Sequence, residues 1–566
     1  MVSFLQKNPE MTGSNGDEKV SENCISRSAS CSATKTKIEQ ADTLNSQNEL
    51  KQAFEIYKDI LEENPEDADA LFGVGVILKK QKKLDLAIQF LSKAIQSNPN
   101  KIEALLARGR IFRLQDMFEN ALSDFTEIIS SHQNIFEALI ARGITYGQTN
   151  QFNLAINDFD MAIKINRNSA EAFYNRGVAL ESLHKFEAAI GDYSIAIKLN
   201  PHDYKAYNNR GVARRETECP AASLKDFEKS VEINPDFAEG YYNKSLNLLS
   251  DGNLKEGFKL YECRWSTAHF QSQVRHFPQP LWLGREDLVG KTILLHSEQG
   301  LGDSIQFCRY IKFFKNMQCR VLLEIEKPLM AIMQCLLPQE QIFEKNSLLP
   351  DFDVHCPLMS LPLAFKTTLD NIPSPNAYLK APLLQKEHWE NYLGIKTKPR
   401  VGVVWQGHPG HPRDCYRSLP LGDLMSELTA DIDWISLQFE ISQMEKQLIT
   451  KASNIRHFGT ELGNFDKSSG LVENLDAVLS VDTSMAHLAA ALGKPVYLLT
   501  GNVADFRWFR DMQSSPWYPT LKIYKRAKHQ TWQNLIATTI SKLRSNIKQR
   551  PNYSQKVRTA PDVEKI

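Results

Sequence analysis

Small and bulky apolar residues recur with a fixed 34-residue period through the first half of the chain. One row of small residues comprises Gly75, Gly109, Gly143, Gly177 and Gly211, with Ser245 in phase. A second row comprises Ala53, Ala87, Ala121, Ala155, Ala189, Ser223 and Gly257. Four positions after each member of the second row, on the same helical face, stands a bulky residue. These residues are Tyr57, Leu91, Phe125, Phe159, Tyr193, Phe227 and Tyr261. The pattern predicts pairs of helices that approach closely at their small residues.

Loops with the same period separate the predicted helix pairs. Their markers are Pro65, Pro99, Gln133, Arg167, Pro201 and Pro235. Proline ends a helix because it lacks an N–H donor and disfavours α geometry in the preceding residue. One pair cannot bury its apolar face alone, so about seven pairs are expected to stack across residues 35–269 into a right-handed superhelix with a concave groove. The period equals the length of a tetratricopeptide unit.

A polar row runs through the first helices of the predicted pairs. Asn175, Asn209 and Asn243 precede Arg176, Arg210 and Lys244, respectively. In tetratricopeptide proteins, asparagine at this position commonly faces the groove and bonds the backbone of an extended peptide, which makes these six residues a candidate acceptor groove. A solvated or capping row copied with each repeat explains the pattern equally well. Both interpretations stay open.

The second half of the chain changes to short, continuous apolar runs that alternate with helical stretches. The predicted strands are residues 292–296, 321–326, 400–405, 433–438, 477–482 and 495–500. Continuous apolar strands indicate a parallel sheet covered by helices on both faces. A Pro-, Asn- and Lys-rich break divides this α/β half into lobes at 276–385 and 398–545. Two such lobes place the carboxyl ends of their strands around a shared cleft.

The loop after the first predicted strand carries a candidate catalytic carboxylate. Gly300 and Gly302 permit a tight turn directly before Asp303, which opens the next helix. A carboxylate there is placed to act as a general base on a sugar or protein hydroxyl. A helix N-cap is the alternative role for Asp303, and the two stand about even.

The loop after the third predicted strand carries candidate phosphate ligands. Trp405, Gly407, Arg417 and Ser418 precede a helix expected near Leu421. Arginine and hydroxyl donors suit a phosphate. His408, His411 and Asp414 lie in the same loop, but its prolines and irregular spacing argue against a metal site.

The loop after the fifth predicted strand has the sharpest pattern. Asp482 ends the strand, Thr483 and Ser484 begin a helix, and His487 lies on its first turn. Free amides at a helix N-terminus bind a diphosphate. The alternative is an Asp482 N-cap with His487 satisfied locally, which leaves the two hydroxyls unassigned.

Composition limits the remaining function classes. The 566 residues contain 67 basic and 67 acidic side chains, so no net field favours nucleic acid or an anionic membrane. The nine cysteines form no C-x-x-C pair, which fits a reducing cytosol better than a disulfide framework. We expect a cytoplasmic protein without an export signal or membrane-spanning segment. The polar segments 1–34 and 546–566 are expected to be disordered.

Three motifs carry a resemblance to a known family. They are G-L-G-D at 300–303, the W-x-G…R-S-L-P stretch at 405–420, and D-T-S-x-x-H-L-A-x-A-L-G-x-P at 482–495. At these positions the chain resembles glycosyltransferase family 9, the ADP-heptose:lipopolysaccharide heptosyltransferases, whose two Rossmann-like lobes form a GT-B arrangement. More closely, residues 45–545 are similar to bacterial tetratricopeptide proteins fused to such a domain. Those proteins share Tyr261, Arg264 and Trp265 at the junction, H-C-P-L-x-S-L-P-L-A-F at 355–365 and D-x-R-W…S-P-W-Y-P at 505–519.

The resemblance implies roles for individual residues. Asp303 matches the family's catalytic base, Asp482, Thr483 and His487 match its donor-contacting motif, and Arg417 falls near the basic residue for the donor phosphates. Heptosyltransferases usually have glycine at the position of Ser484 and a longer first lobe, so heptose is not implied as the donor sugar.

The sequence thus predicts an all-α tetratricopeptide superhelix followed by a GT-B glycosyltransferase. The donor would be a nucleotide-diphosphate sugar, and the repeats would select a protein or glycan acceptor. No metal or other cofactor is expected, because GT-B enzymes stabilise the leaving diphosphate with a helix dipole and basic side chains. The competing hypothesis is a non-catalytic interaction scaffold with a degenerate transferase-like half.

Overall fold

The computed structural model describes residues 23–131, 135–217, 219–410, 413–452 and 454–549. These residues form two compact units, one ending at Pro201 and one beginning at His202. The predicted disorder of residues 1–22 and 550–566 lies outside the described residues. The first helix already begins at Asn23, so residues 23–34 are helical, and the predicted boundary of the disordered segment at residue 34 is wrong.

The first unit consists of paired helices. Within its described residues they are α1 (Asn23–Ser46), α2 (Leu50–Glu63), α3 (Ala68–Lys80), α4 (Leu84–Ser97), α5 (Ile102–Leu114), α6 (Phe118–Ser131), α7 (Phe136–Gln148), α8 (Phe152–Ile165), α9 (Ala170–Ser182) and α10 (Phe186–Leu199). From α2 onward, equivalent helices begin 34 residues apart. The sequence period therefore corresponds to a structural repeat of one helix pair.

The small-residue rows mark the closest approach of the two helices in each pair. A Cβ atom added to Gly109 would lie 2.6 Å from the Phe125 ring, and one added to Gly143 would lie 2.7 Å from the Phe159 ring. The bulky residues that fill these positions are buried throughout the row. Glycine is required because any side chain would have to displace the facing ring.

The second unit opens with two further helix pairs. They are α11 (Tyr204–Glu216), α12 (Pro220–Ile233), α13 (Ala238–Ser250) and α14 (Leu254–Tyr261). The described residues of the two units thus contain seven pairs, as the period predicts. The all-α tetratricopeptide array is confirmed, and mixed α/β structure follows it.

The first sheet of the second unit has four parallel strands. They are β1 (Thr292–His296), β2 (Arg320–Ile325), β3 (Ile342–Glu344) and β4 (Val354–Pro357). Their order is β3-β2-β1-β4. The chain reverses direction across the sheet between β1 and β4, so the loops after these two strands border a topological switch point.

The second sheet has seven strands. They are β5 (Arg400–Val404), β6 (Asp433–Ser436), β7 (Ile455–His457), β8 (Ala477–Val481), β9 (Val496–Thr500), β10 (Ser514–Ser515) and β11 (Tyr518–Lys525). Their order is β10-β11-β9-β8-β5-β6-β7, and all pairings are parallel except β10 with β11. Its switch point lies between β5 and β8, which carry the second and third candidate loops.

Short helices cover the two sheets. They are α15 (Leu301–Phe307), α16 (Met330–Met333), α17 (Leu361–Ala364), α18 (Leu383–Leu393), α19 (Asp414–Arg417), α20 (Leu421–Met425), α21 (Gln443–Lys451), α22 (Phe465–Glu473), α23 (Ser484–Ala491) and α24 (Trp532–Lys548). All six predicted strands are present, with ends shifted by up to two residues.

Helix α18 corrects the predicted boundary between the lobes. The Asn474 side-chain amide, just after α22, donates to the Lys386 carbonyl at 2.9 Å. A Cβ atom on Gly470 would lie 2.6 Å from the Gln385 backbone. The first lobe therefore ends before Leu383 and not at residue 385, because α18 packs on the second lobe.

The last helix pair shares its apolar core with both sheets. Leu249, Leu254, Phe258 and Tyr261 belong to the same buried cluster as the strands of the two lobes. The last repeats and the α/β half are thus joined by continuous packing. Hydrophobic burial of this extent couples the elements that share it.

Candidate functional site

The loops after β1 and β8 meet directly. A Cβ atom on Gly302 would lie 3.0 Å from Cδ2 and 3.5 Å from Nε2 of His487, and 3.5 Å from Cα of Ser484. Helices α15 and α23, which begin at these loops, pack against each other. The structure therefore brings together two of the three predicted loops at residues the sequence singled out.

Asp303 lies in the first turn of α15 and is held from two directions. Its Oδ2 accepts a 3.0 Å hydrogen bond from the Gly300 amide, and its Oδ1 forms an ion pair with Arg507. Burial raises the pKa of the Asp303 carboxyl, while the Arg507 charge and the Gly300 bond oppose the rise. Gly300 is the N-cap residue of α15, and Asp303, three positions later, accepts from the N-cap amide, so the alternative that Asp303 is itself the N-cap is wrong. The role of Asp303 as a general base stays a prediction.

Arg507 is the central cation of the site. It contacts Asp303 and also donates from Nη1 to Oδ1 of Asp505 at 2.6 Å. Burial works against the charged forms of both Arg507 and Asp505. The charges of Asp303 and then Asp505 nevertheless raise the pKa of Arg507, and the charge of Arg507 lowers the pKa of Asp505. Arg507 lies in the D-x-R-W motif, but a motif does not reveal the spatial partner of a residue.

His487 is fixed as a neutral imidazole. Its Nδ1 shares a 2.8 Å hydrogen bond with the Tyr518 hydroxyl, and its ring stacks on Trp508 with centroids 4.9 Å apart. Burial, followed by the charges of Arg507 and Arg309, lowers the pKa of His487 to about 3. The residue is uncharged at neutral pH, and it is held by local contacts as the alternative interpretation proposed.

The start of α23 adds polar groups to the candidate site. Thr483 occupies the N-cap position, which corrects the proposal that Asp482 does so, and Ser484 is the first helical residue. The Thr483 hydroxyl lies 3.3 Å from that of Ser480. Burial and then the charge of Asp505 raise the pKa of Asp482, against the charges of Arg417 and Arg507. Amides in the first turn of a helix lack intrahelical partners and favour an anion.

The loop after β5 joins this arrangement through Arg417. Its Nη1 donates to the Asp482 carbonyl at 2.9 Å, and its Nε donates to Asp414 at 3.1 Å. The guanidinium lies against Gly407, where a Cβ atom would sit 2.3 Å from Nη2. The Ser418 hydroxyl accepts from the Gly407 amide at 2.9 Å and donates to Asp414 at the same distance. Arg417, Gly407 and Ser418 are therefore brought together beside Asp482.

Trp405 does not belong to this group. Its side chain is fully buried, and its Nε1 donates to Glu445 at 2.7 Å. The prediction that Trp405 contacts the nucleotide-sugar donor is wrong, because its indole ring packs in the core of the second lobe. A buried core tryptophan and a ligand-stacking one carry the same sequence signal.

Three aromatic residues near the site are also packing residues. Trp508, Trp517 and Tyr518 are buried. Arg309 is buried among them, with its guanidinium carbon 5.3 Å from the Trp517 ring and 4.5 Å from the Tyr518 ring. It donates to the Pro373 carbonyl of its own lobe at 3.1 Å and to the Trp517 carbonyl of the second lobe, and thereby links the two lobes. Arg309 lies in none of the sequence motifs.

The basic residues of the predicted acceptor groove have acidic partners in their own or in the preceding repeat. In the first unit, Arg176 forms ion pairs with Asp192 and Asp160. In the second unit, Arg210 pairs with Asp226 at 2.7 Å, and Lys244 lies 3.4 Å from Glu228. The same pairing, across 16 residues, occurs for Arg108 with Asp124 and for Arg142 with Asp158. This periodic ion pair gives the basic row a structural role that the sequence analysis did not include.

The asparagines of the row make local contacts. Asn175 donates to the Glu171 carbonyl at 3.0 Å. The Asn209 side chain accepts from the side-chain amide of Asn208 at 3.2 Å, and Asn243 donates to Asn208 Oδ1 at 3.0 Å. A role for Asn175, Asn209 and Asn243 in holding an acceptor stays a prediction.

The described residues contain no group of three or more His, Cys, Asp or Glu side chains placed to hold a metal ion. The sequence contains three D-x-D motifs, at 158–160, 351–353 and 431–433, and five of their six aspartates have other partners. Asp158 and Asp160 pair with arginines, Asp353 accepts from the Thr292 amide, and Asp431 and Asp433 pair with Arg544 and Arg456.

Among the helices of the described ranges, none has the length and apolar character of a membrane span.

Comparison with known proteins identifies the repeats. Two family models described as tetratricopeptide repeat match residues 44–111 and 170–203. The chain is therefore a tetratricopeptide-repeat protein over at least these residues.

A similar curated protein is Protein FlbA of Caulobacter vibrioides. It is 22% identical over 322 residues, which are 52% of this chain and 53% of FlbA. The chain thus spans about half the length of this curated relative.

Similar solved structures are also tetratricopeptide proteins. YrrB, described as a protein with an unusual peptide-binding site, is 22% identical and has a TM-score of 0.30, covering 34% of this chain and 98% of its own. A tetratricopeptide repeat protein from Parabacteroides merdae is 20% identical with a TM-score of 0.36, covering 43% of this chain and 96% of its own.

Proposed function

We propose that this chain is a glycosyltransferase that moves a sugar from a nucleotide-diphosphate donor to a protein or glycan acceptor chosen by the repeats. The observation that carries the proposal is the meeting of loops at the switch points of two parallel sheets. There Gly302 of one lobe lies against Ser484 and His487 of the other, and Asp303 forms an ion pair with Arg507. Switch points are where open parallel sheets bind their ligands.

The donor diphosphate is assigned to the start of α23. Ser484 contributes its amide and hydroxyl, Thr483 a second hydroxyl, and Arg417 a guanidinium that already contacts the Asp482 carbonyl. These groups favour a dianionic leaving group without a metal ion. Neutral His487 adds a hydrogen-bonding nitrogen without adding charge.

The carboxylate of Asp303 is assigned to the acceptor. It takes the proton from an acceptor hydroxyl, whose oxygen attacks the anomeric carbon of the donor sugar. The bond between that carbon and the diphosphate oxygen breaks, and the electron pair leaves with the diphosphate. Direct displacement of this kind inverts the configuration at the sugar. A pKa raised by burial makes Asp303 a stronger base than an exposed carboxylate.

A second candidate is a tetratricopeptide interaction scaffold whose α/β half has no catalytic role. The observation that favours it is the ion pair of Asp303 with Arg507, which engages the base with a cation. In this case the α/β half would bind no nucleotide, and the function would reside in the repeats.

Nucleotide binding by the full-length chain separates the two candidates. Thermal unfolding is followed with UDP, ADP, GDP and CDP, each without and with a sugar. A ligand at 100 times its Kd stabilises the folded state by about 2.7 kcal/mol, which raises the melting temperature. An unchanged melting temperature with every nucleotide would remove the transferase and favour the scaffold.

Substitutions then test the assigned roles. Asp303→Asn is expected to abolish sugar transfer while leaving the Kd of the nucleotide within about twofold. Arg417→Ala is expected to weaken nucleotide binding by at least about tenfold, because it removes a charge-assisted phosphate contact. The control Arg456→Ala removes an arginine from the ion pair with Asp433 and should leave the nucleotide Kd unchanged. Equal loss of transfer and binding in Asp303→Asn would contradict its role as base.

A further inference from the structure

The last two helix pairs contact the loops after β1 and β5, which belong to the candidate site, and the loop after β9, which carries Arg507. The loop before Asp303 is held at the end of α14. Arg264 donates from Nε and Nη2 to both carboxylate oxygens of Glu298 at 2.8 Å, and Gln299 donates to the Tyr261 hydroxyl at 2.8 Å. Residues 298 and 299 lie immediately before the Gly300–Asp303 turn.

The Arg264–Glu298 contact is an interior ion pair. Arg264 is fully buried and Glu298 is 2% exposed at its side chain. Arg264 also donates to Glu262 at 2.7 Å and to the Ser360 hydroxyl at 2.8 Å. Bidentate geometry and additional bonds satisfy the buried charges and fix the relative position of the two segments.

The loop that carries Arg507 is held by the end of α13. Arg510 donates to Asp251 at 2.7 Å and to Asn247 at 2.9 Å, and its backbone amide donates to the Ser250 carbonyl at 2.8 Å. Between Arg507 and Arg510, buried Phe509 has a φ of 54° and a ψ of 157°. A non-glycine residue adopts this conformation only when its surroundings impose it.

The third loop is held by α11. Arg413 donates to Glu216 at 2.7 Å and to the Val503 carbonyl at 3.0 Å, and therefore joins the loop after β5 to the loop that carries Arg507. Glu216 is the last residue of α11, Asp251 and Arg264 follow α13 and α14, and their contacts reach three different loops. Two of these loops carry Asp303 and Arg507, which form an ion pair.

We propose that the last two helix pairs are a positioning element of the candidate site, with Arg510 as the positioning residue that places Arg507 against Asp303. The inference rests on the proposed function, since nucleotide binding is its readout. It assigns to these repeats a task besides acceptor selection: they hold the donor and base loops in register. Arg510 acts through the Arg507 loop and touches neither the base nor the assigned donor groups.

The test compares Asp251→Asn with a matched control in the full-length chain. Asp251→Asn keeps the side-chain shape and removes the charge that faces Arg510. Asp236→Asn makes the same change at an exposed residue at the other end of α13. The Kd of the nucleotide identified by thermal shift is measured for both by calorimetry, together with the melting temperature without ligand.

The Arg507 charge also acts on Asp482 and His487 in the donor loop, so a displaced Arg507 disturbs the donor groups as well as the base. A positioning role therefore predicts at least about a fivefold weaker Kd for Asp251→Asn and no change for Asp236→Asn. The reciprocal exchange, Asp251→Arg with Arg510→Asp, is expected to restore binding, because it rebuilds the ion pair with reversed polarity. A lower melting temperature with an unchanged Kd would show a merely structural contact and overturn the inference. Failure of the unaltered chain to bind any nucleotide would instead remove the proposed function.

Discussion

At the scale of single residues, the site depends on how closely two loops approach. Gly302 has no side chain where His487 and Ser484 pass, and His487 is held in place by Tyr518 and Trp508. The His487 ring is therefore fixed where it meets Gly302. The glycine is therefore required by the approach of the lobes and not by its backbone conformation.

Gly302→Ala is expected to lower the free energy of unfolding by about 2 kcal/mol, because the added methyl group overpacks a fixed contact. The measurement is urea unfolding of the full-length chain. Gly422→Ala is the matched control, since a Cβ atom at Gly422 meets nothing within 4 Å. Equal stability of the two variants would show that the lobes do not meet at Gly302.

The neutral state of His487 predicts a dependence of stability on pH. Its pKa is about 3 in the folded chain and about 6.5 when unfolded, so between these values the unfolded state takes up a proton that the folded state does not. The stabilisation is complete above pH 6.5 and is lost as the pH falls, with a slope of up to about 1.4 kcal/mol per pH unit.

His487→Gln should reduce this slope between pH 4 and 6.5, as measured by urea unfolding at several pH values. His529→Gln changes an exposed histidine and should keep the slope of the unaltered chain. A slope that is identical in the two variants would mean that His487 titrates normally.

At the scale of elements, each repeat in the middle of the array is joined by an ion pair as well as by apolar packing. Arg142 of α7 holds Asp158 of α8 with two hydrogen bonds of 2.8 and 2.7 Å, and the side chains are 15% and 4% exposed. The aspartate lies one residue before the bulky row. The 34-residue period thus repeats a polar contact together with the apolar one.

Asp158→Asn is expected to lower the free energy of unfolding by about 2 kcal/mol, because a half-buried guanidinium loses its charged acceptor. The change is followed by urea unfolding of the full-length chain. Glu119→Gln, at an exposed position of α6, serves as the control and should change stability by less than about 0.5 kcal/mol. A negligible effect of Asp158→Asn on the free energy of unfolding would show that the repeated ion pair is solvated and does not stabilise the array.

At the scale of the whole chain, the boundary between repeats and α/β half differs from the boundary between compact units. The second unit begins at His202 and includes two helix pairs. Four apolar residues of the last pair, Leu249, Leu254, Phe258 and Tyr261, are buried in the core of the α/β half. Removing the repeats at residue 270 would expose that core.

A chain shortened to residues 202–549 is expected to unfold in one cooperative thermal transition. A chain shortened to residues 270–549 is expected to be unfolded or to melt far lower, because it loses the buried contacts of the last pair. Circular dichroism and limited proteolysis measure both. Equal melting temperatures would show that the α/β half is independent of the repeats.

The sequence predicted what depends on local periodicity. The 34-residue rows located the helix pairs, and the continuous apolar runs located six strands. The strands it missed, β3, β4, β7, β10 and β11, are short or carry polar residues at alternate positions, so they lack the continuous apolar signal. Its candidate loops contain Gly302, Asp303, Arg417 and His487, which the structure brings together.

Tertiary structure decided which side chains face one another. The partners of Asp303, of the repeat arginines and of the Glu298 loop lie 16 to more than 200 residues away, and composition and spacing do not encode such contacts. For the same reason Trp405 belongs to the core, although its motif suggested a ligand contact. The sequence alone determined the repeat and the strand-ending loops, because each depends on neighbours along the chain. Only the folded chain decided that the last repeats share a core and an ion-pair network with the candidate site, because burial and charge pairing depend on distance in space.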